Sequence, residues 1–449
     1  MNLLPDRELT GRVLKISTPA VAGLSSQMIV SVAEAAMVGR LANTEVVLAA
    51  LGLGLLATWA ITSFFSSLAT GTHVLVARRQ GEGNHIGAGE VLNNSLLVAA
   101  LLGILIGVLG YFFSYGLLDF FASDPAVAAA GTEYMQWRFL GLIFFLIVVA
   151  YRGFFNGIGH TKVFMISAII INLANILFNY LLIFGAFGFP EKGLAGAGLA
   201  SVISNLIGCL FFVGATFLPA YRRTYGYYHS WGIRKAIISQ IIKISTPVSL
   251  QNILILMGFL VFVAVTGKLG TREQAASQVV ISALFMSFLP CFGFGLGAQT
   301  LVGQSLGNKD HHLAKRFGME AARLATYFTA VLGAIFILFP DAVILLITTN
   351  SDVTDVARPI LQLAGAAQIF YAAGIVLAYA LQSAGATVYV MVIEVITHWI
   401  IFLPLSYVFG VVWEGGLIGA WLALPVYIIS YTVLILAKYQ KDSWLRIKV

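Results

Sequence analysis

The chain has 449 residues, of which 59% are apolar and only 10% charged, with a net charge of +7 and a mean hydropathy of +0.92. A soluble domain of this length carries about a quarter of its residues as Asp, Glu, Lys or Arg, so this balance excludes one and leaves a polytopic membrane protein. The excess of base belongs to loops and membrane orientation, and no basic block or aromatic-interleaved patch suggests a nucleic-acid site.

Runs of about 20 apolar residues, the helical length that crosses a hydrocarbon layer, recur twelve times along the chain. They fall at 13–38, 47–77, 93–118, 131–155, 163–187, 194–219, 237–266, 275–305, 317–340, 357–382, 387–411 and 415–438. Asp6, Arg7, Glu8, Arg12 and Lys15 lead into a long uninterrupted first span, unlike the short apolar core of a cleaved signal peptide. If the N-terminus is cytoplasmic, 20 of the 26 basic residues collect on the inside, and only Arg40, Arg138, Lys192, Lys268, Arg272 and Arg358 fall to outer connections. Both termini are therefore expected in the cytoplasm.

The first span introduces a repeat. Lys15, Ile16, Ser17, Thr18 and Pro19 return as Lys243, Ile244, Ser245, Thr246 and Pro247, 228 positions later. Leu75, Val76, Gly81 and His85 answer to Leu301, Val302, Gly307 and His311 at an offset of 226, and Gly193, Leu194, Gly196 and Ala197 to Gly416, Leu417, Gly419 and Ala420 at 223. Collinear order with a slowly shrinking offset marks an internal duplication. Six spans per copy is an even number, so the copies enter the membrane in the same sense. The expected fold is an all-α integral membrane protein with twelve transmembrane helices in two six-helix lobes related by a parallel internal repeat. The bounds are 1–219 for the N-lobe, 220–236 for a cytoplasmic linker and 237–449 for the C-lobe. Cys209 and Cys291 lie in spans of opposite lobes and read as buried filler.

Polar residues inside apolar runs carry the functional signal. Among the acids only Glu34 and Glu394 lie well inside a span. Gln27, Ser31 and Glu34 form one stripe of the first helix, and a carboxylate at mid-helix costs roughly 2.5 to 3.5 kcal/mol. Burial therefore favours the neutral acid until a cation or water relieves it. Such a group can carry H⁺ or Na⁺; a locked structural hydrogen bond or a snorkelling acid are the alternatives. The fifth span offers Asn172, Asn175 and Asn179, and the sixth Ser201, Ser204 and Asn205. Amide oxygens serve a protonated acid and Na⁺ alike, so this spacing does not choose the ion.

These features resemble the multidrug and toxic compound extrusion family: the first-span acid followed by Val38, Gly39, Arg40 and Leu41; the loop Gly157 to Thr161; and the stretch from Asn175 to Gly185 leading into Gly193 to Ser201. The resemblance spans essentially the whole chain. It implies a two-lobed antiporter with no enzyme activity and no cofactor, whose N-lobe binds H⁺ or Na⁺ and whose central cavity opens to either side in turn. It maps the coupling site onto Glu34, Asn175, Asn179 and Ser201, with Gln27 and Ser31 on the same stripe, and offers no metal site besides Na⁺ there. The family's first-span acid is usually Asp, and in one branch the position of Asn179 is a second acid; the loss of that charge favours H⁺ over Na⁺. Another branch places acids in the seventh and tenth spans, where this chain offers Gln251, Ile255 and Tyr371, which argues against a C-lobe cation site of that kind.

Glu394 and His398, one turn apart in the eleventh span, either relay a proton or attract a cationic substrate, or form a buried hydrogen-bonded pair. With Gln251, Met257, Gln278, Met286, Gln368 and Tyr371 they are the candidates for a soft substrate surface. The expected activity is cation-coupled export of amphipathic or cationic organic compounds by a monomer in the inner membrane. The alternative is a flippase for lipids or lipid-linked sugars, which needs a basic cavity.

Overall fold

The computed structural model describes residues 6–41, 44–122, 124–227 and 232–447, and among them the secondary structure is helical throughout. In lipid no water satisfies the backbone, so an apolar chain that crosses must bond its own N–H and C=O groups along helices. The elements in the first copy are α1 (Arg7–Val38), α2 (Thr44–Ser66), α3 (Leu68–Gly81), α4 (His85–Phe121), α5 (Pro125–Leu140), α6 (Leu142–Gly157), α7 (Thr161–Phe184) and α8 (Gly193–Phe217). A short α9 (Pro219–Tyr225) leads to α10 (Lys235–Leu269), α11 (Thr271–Gly307), α12 (His311–Leu338), α13 (Pro340–Leu345), α14 (Ser351–Ser383), α15 (Thr387–Val395), α16 (Leu403–Tyr407) and α17 (Gly416–Gln440).

Among the described residues ten helices are long and apolar enough to cross a bilayer, and the pair α5–α6, bent by 43°, makes an eleventh. The 32-residue α1 supplies the twelfth, with Glu34 as the one charge between Ile16 and Val38. The twelve-helix architecture read from the sequence is therefore present, although the second span is divided at Ser67 and the fourth at Gly141.

The duplication reaches into the helix caps. Asn84 accepts from the Gly87 N–H at 2.9 Å and Asp310 from the Leu313 N–H at 2.9 Å, positions related by the same offset of 226. Asp124 and Asn350, again 226 apart, cap the starts of α5 and α14 through Ala126 N–H at 2.8 Å and Asp352 N–H at 2.9 Å. These short side chains replace backbone partners that a first turn lacks. Gly193 and Gly416 open α8 and α17 with φ of 52° and 60°, a conformation that costs a residue without Cβ little.

The compact units depart from the expected lobe bounds. One consists of residues up to Val21 together with those from Leu250 onward, and the other runs from Ala22 to Ser249. The unit boundaries fall within the continuous helices α1 and α10, 228 residues apart, each two residues beyond a helix-interior proline, Pro19 or Pro247. In the first unit Leu9, Val13 and Ile16 enter the core built by α11, α12, α14 and α17. Asp6 pairs with Arg316 at 2.5 Å and Thr10 donates to Glu320 at 2.6 Å. In the second unit, Ser249 donates to the Phe64 carbonyl at 2.7 Å, and a Cβ on Gly71 would meet the Ser245 hydroxyl.

The connection expected at 220–236 is largely anchored, with residues 228–231 outside the described ones. Buried Tyr227 donates to the Thr216 carbonyl at 2.8 Å, while Asn93 donates to the Tyr227 carbonyl at 2.7 Å. Arg234 pairs with Glu90 at 2.5 Å. The segment is thus tied to the base of α4 and α8.

Candidate functional site

Within the unit Ala22–Ser249, a cavity of about 530 Å³ is walled by α1, α2, α5, α6, α7 and α8. Small residues let these helices close around it: Gly54 carries no Cβ against the Tyr134 ring, and Gly198 lies under the Tyr134 carbonyl. Gln27, Glu34, Asn172, Asn175, Ser201, Ser204 and Asn205 all contribute to its lining. Asn172 also ties α7 to α1 by donating to Ser26 at 2.6 Å.

Glu34 is only 6% exposed, and its Oε1 has no hydrogen-bond partner among the described residues. A buried acceptor left unsatisfied costs about 1–3 kcal/mol, more if charged. Asn175 donates to Ser201 and to Ser204, each at 3.3 Å, and its Oδ1 accepts from Asn179 at 3.0 Å. The Oδ1 of the fully buried Asn179 is a second acceptor without a partner among the described residues. These orphaned oxygens, on Glu34 at the cavity wall and on Asn179 one turn beyond the wall residue Asn175, each suit a species that brings a positive hydrogen or a small cation. The side chain of Ser31 lies outside the described residues, so the stripe expected on α1 is represented by Gln27 and Glu34.

Charge counting along the sequence assigns one wall residue elsewhere. Arg138, expected in an outer connection, sits half-buried in the last turn of α5 and lines the cavity. Its Nη1 donates to Ser201 Oγ at 3.0 Å, its Nη2 reaches Thr58 Oγ1 at 3.5 Å, and the guanidinium lies 5.9 Å from the Tyr134 ring centroid. The signal is present, since Arg138 falls inside the run 131–155, but treating the base as loop charge hides it. Thr58 and Trp59, from α2, are further wall residues that carry no polar-stripe signal.

The C-terminal candidates lie in the other unit. Glu394 is 3% exposed and accepts from the Tyr427 hydroxyl at 2.5 Å. His398 is buried with both ring nitrogens unpartnered among the described residues, so the two are not hydrogen-bonded to each other. His398 lies in the π-helical segment Ile396–Phe402, which follows the α-helical turn that carries Glu394. Pro404 lies just beyond and cannot bond the carbonyl one turn back. Gln368 accepts from Ser287 at 2.5 Å, Gln382 donates to Gln251 at 3.4 Å, and Tyr371 packs 4.8 Å from Phe288. Met257 and Met286 are exposed at 49% and 42%, and Gln278 is also exposed.

A duplicated, all-helical, twelve-span protein with an ionisable cavity in one repeat unit defines the class of two-lobed membrane transporters. The MatE family model matches the chain twice, over residues 19–181 and 247–408, in step with the repeat. The chain belongs to the MatE family. It is 27% identical, over 99% of its length and 95% of the relative's, to "Probable multidrug resistance protein NorM" of Thermotoga maritima. A protein of the same name from Rhizobium meliloti is 26% identical over 94% of the chain and 91% of its own length. In fold, the chain is similar to an outward-facing multidrug resistance MATE transporter of the MOP superfamily, with a TM-score of 0.90 at 19% identity and coverage of 98% and 97%. A MOP superfamily transporter from Pyrococcus furiosus gives 0.84 at 19% identity, covering 96% and 97%.

Proposed function

We propose that this protein is a secondary multidrug exporter that moves amphipathic or cationic organic compounds out of the cell by alternating access while H⁺ returns through Glu34. The observation that carries the reading is the buried Glu34 carboxyl, one oxygen unpartnered among the described residues, on the wall of a cavity lined by amides and hydroxyls. Protonation turns the carboxyl into a neutral group with a donor to offer; release into the cavity makes it an anion that needs a counter-charge. Asn175, Asn179 and Ser201 hold the polar surroundings in which both forms are tolerated. Na⁺ is the other ion such a set of oxygens can take. One charge crossing 100 mV supplies about 2.3 kcal/mol, so no nucleotide is required.

The membrane is the plasma (inner) membrane, with both termini on the cytoplasmic side, where most basic loop residues gather. The relatives named as multidrug resistance proteins support a drug substrate, for which Gln251, Met257, Gln278, Met286, Gln368, Tyr371, Glu394 and His398 are the proposed contacts. A flippase for pyrophosphate-linked lipids needs a basic cavity, whereas Arg138 is the single base among the described residues of the lining here. The test is uptake of a fluorescent organic cation into proteoliposomes under an imposed pH gradient. The native chain is expected to transport, and Glu34→Gln to fall to the level of empty vesicles while remaining folded. Full activity of that variant removes Glu34 from the mechanism.

A further inference from the structure

Arg138 has no part in the scheme above, yet it is the only base, as Glu34 is the only acid, among the described residues that line the cavity. We infer that Arg138 is a tethered cation that reserves the Glu34 site for protons and bars Na⁺ from it. The inference rests on the reading of Glu34 as the coupling acid and adds a residue that sets ion specificity.

Na⁺ is a hard cation that binds through several oxygens, here a carboxylate, amide carbonyls and hydroxyls. Two of those oxygens, Ser201 Oγ and Asn175 Oδ1, are already turned toward N–H groups. Ser201 Oγ takes a guanidinium hydrogen from Arg138 at 3.0 Å and faces Asn175 Nδ2 at 3.3 Å, while Asn175 Oδ1 is covered by Asn179 Nδ2 at 3.0 Å. A second positive charge entering beside a fixed guanidinium also meets repulsion, which a desolvated cavity strengthens. A proton escapes both obstacles. It is held by one covalent O–H bond on Glu34, needs no coordination shell, and leaves a neutral acid beside Arg138.

Loss of that proton creates a carboxylate whose counter-charge is already in the wall, on a five-donor group that can exchange Ser201 and Thr58 for Glu34. An arginine suits this task because its guanidinium stays protonated when half-buried and offers its donors in a planar fork. The Tyr134 ring, one turn earlier on α5 and 5.9 Å from the guanidinium, gives the charge an aromatic face to rest on in its Ser201-bound position. The chain thus carries its own substitute for the metal ion.

The experiment compares saturable ²²Na⁺ binding to purified full-length protein in detergent for the native chain, Arg138→Gln, Arg138→Lys and the double variant Arg138→Gln with Glu34→Gln. Native and Arg138→Lys proteins are expected to show no saturable Na⁺ site. Arg138→Gln is expected to gain a saturable Na⁺ site, and the added Glu34→Gln to abolish that binding. Glu34-dependent Na⁺ binding by the native chain overturns the inference, and so does a folded Arg138→Gln protein that gains none. Arg138→Met, apolar and similar in length, takes its place if the glutamine variant does not fold. Transport by Glu34→Gln alone separates the two readings: if it still runs on a pH gradient, the coupling role fails, whereas its loss together with absent Na⁺ binding in Arg138→Gln defeats only the role given to Arg138.

Discussion

The two acids buried in apolar spans, Glu34 in one compact unit and Glu394 in the other, look alike in sequence and differ in structure. Glu394 is met by the Tyr427 hydroxyl at 2.5 Å inside a packed core, whereas Glu34 keeps an unpartnered oxygen, among the described residues, at the wall of a cavity of about 530 Å³. A third pattern appears at Glu320, which is 3% exposed but paired with Arg323 at 2.6 Å and with Thr10. Burial alone does not make an intramembrane carboxyl functional. What distinguishes Glu34 is burial combined with an unmet valence and room for something to arrive.

The largest expected effect breaks this comparison if it fails: Glu34→Gln abolishes pH-driven transport in proteoliposomes, while Glu394→Gln leaves its rate unchanged. Equal losses in the two variants would make both acids carriers. Next, Tyr427→Phe removes the 2.5 Å hydroxyl donor from Glu394 and is expected to cost about 1–3 kcal/mol, read as a lowered melting temperature in detergent with transport at permissive temperature retained. Gly258→Ala sharpens the same point, because its Cβ would lie 2.4 Å from the His398 ring; overpacking of this kind costs about 1–3 kcal/mol, and an unchanged melting curve would show that the ring has space to move.

The smallest effect lies outside the membrane. Lys315, hydrogen-bonded to Asp442, holds that carboxyl below the usual aspartate range. A depressed native pKa means that the contact stabilises the fold above the ordinary value of about 3.9 and is lost as pH falls through the lower native one. The slight difference in melting temperature between the native chain and Asp442→Asn should therefore vanish under acid conditions. A difference that grew on acidification would reverse the sign.

Much of this was legible in the residues. Twelve apolar runs and the repeated Lys-Ile-Ser-Thr-Pro gave the helix count and the duplication, because lipid punishes any other backbone and leaves hydropathy nearly unambiguous. Gln27, Glu34, Asn175 and Ser201 were found because polar atoms in such runs must face protein or water, and all four line one cavity. Arg138 was misplaced because a single base near a span end can be counted as loop charge or as wall, and only the packing of α5 against α2 and α8 decides. Glu394 and His398 are spaced for a hydrogen bond in an α-helix, and neither that bond's absence nor the π-helical segment at Ile396–Phe402 is legible from the spacing. The unit boundary within α1 was illegible because Pro19 marks a place where a helix can bend, not the neighbours that each half selects.

The matched unit boundaries at Val21/Ala22 and Ser249/Leu250 fall at equivalent places in the two copies. Each copy of the ancestral sequence surrenders the opening turns of its leading helix to its counterpart, at the same residue in both. Such reciprocity is what two identical polypeptides trading an arm would leave behind. The two copies nevertheless diverge in chemistry: Glu34 carries its carboxyl at a position whose counterpart, 228 residues on, is the wholly apolar Phe262.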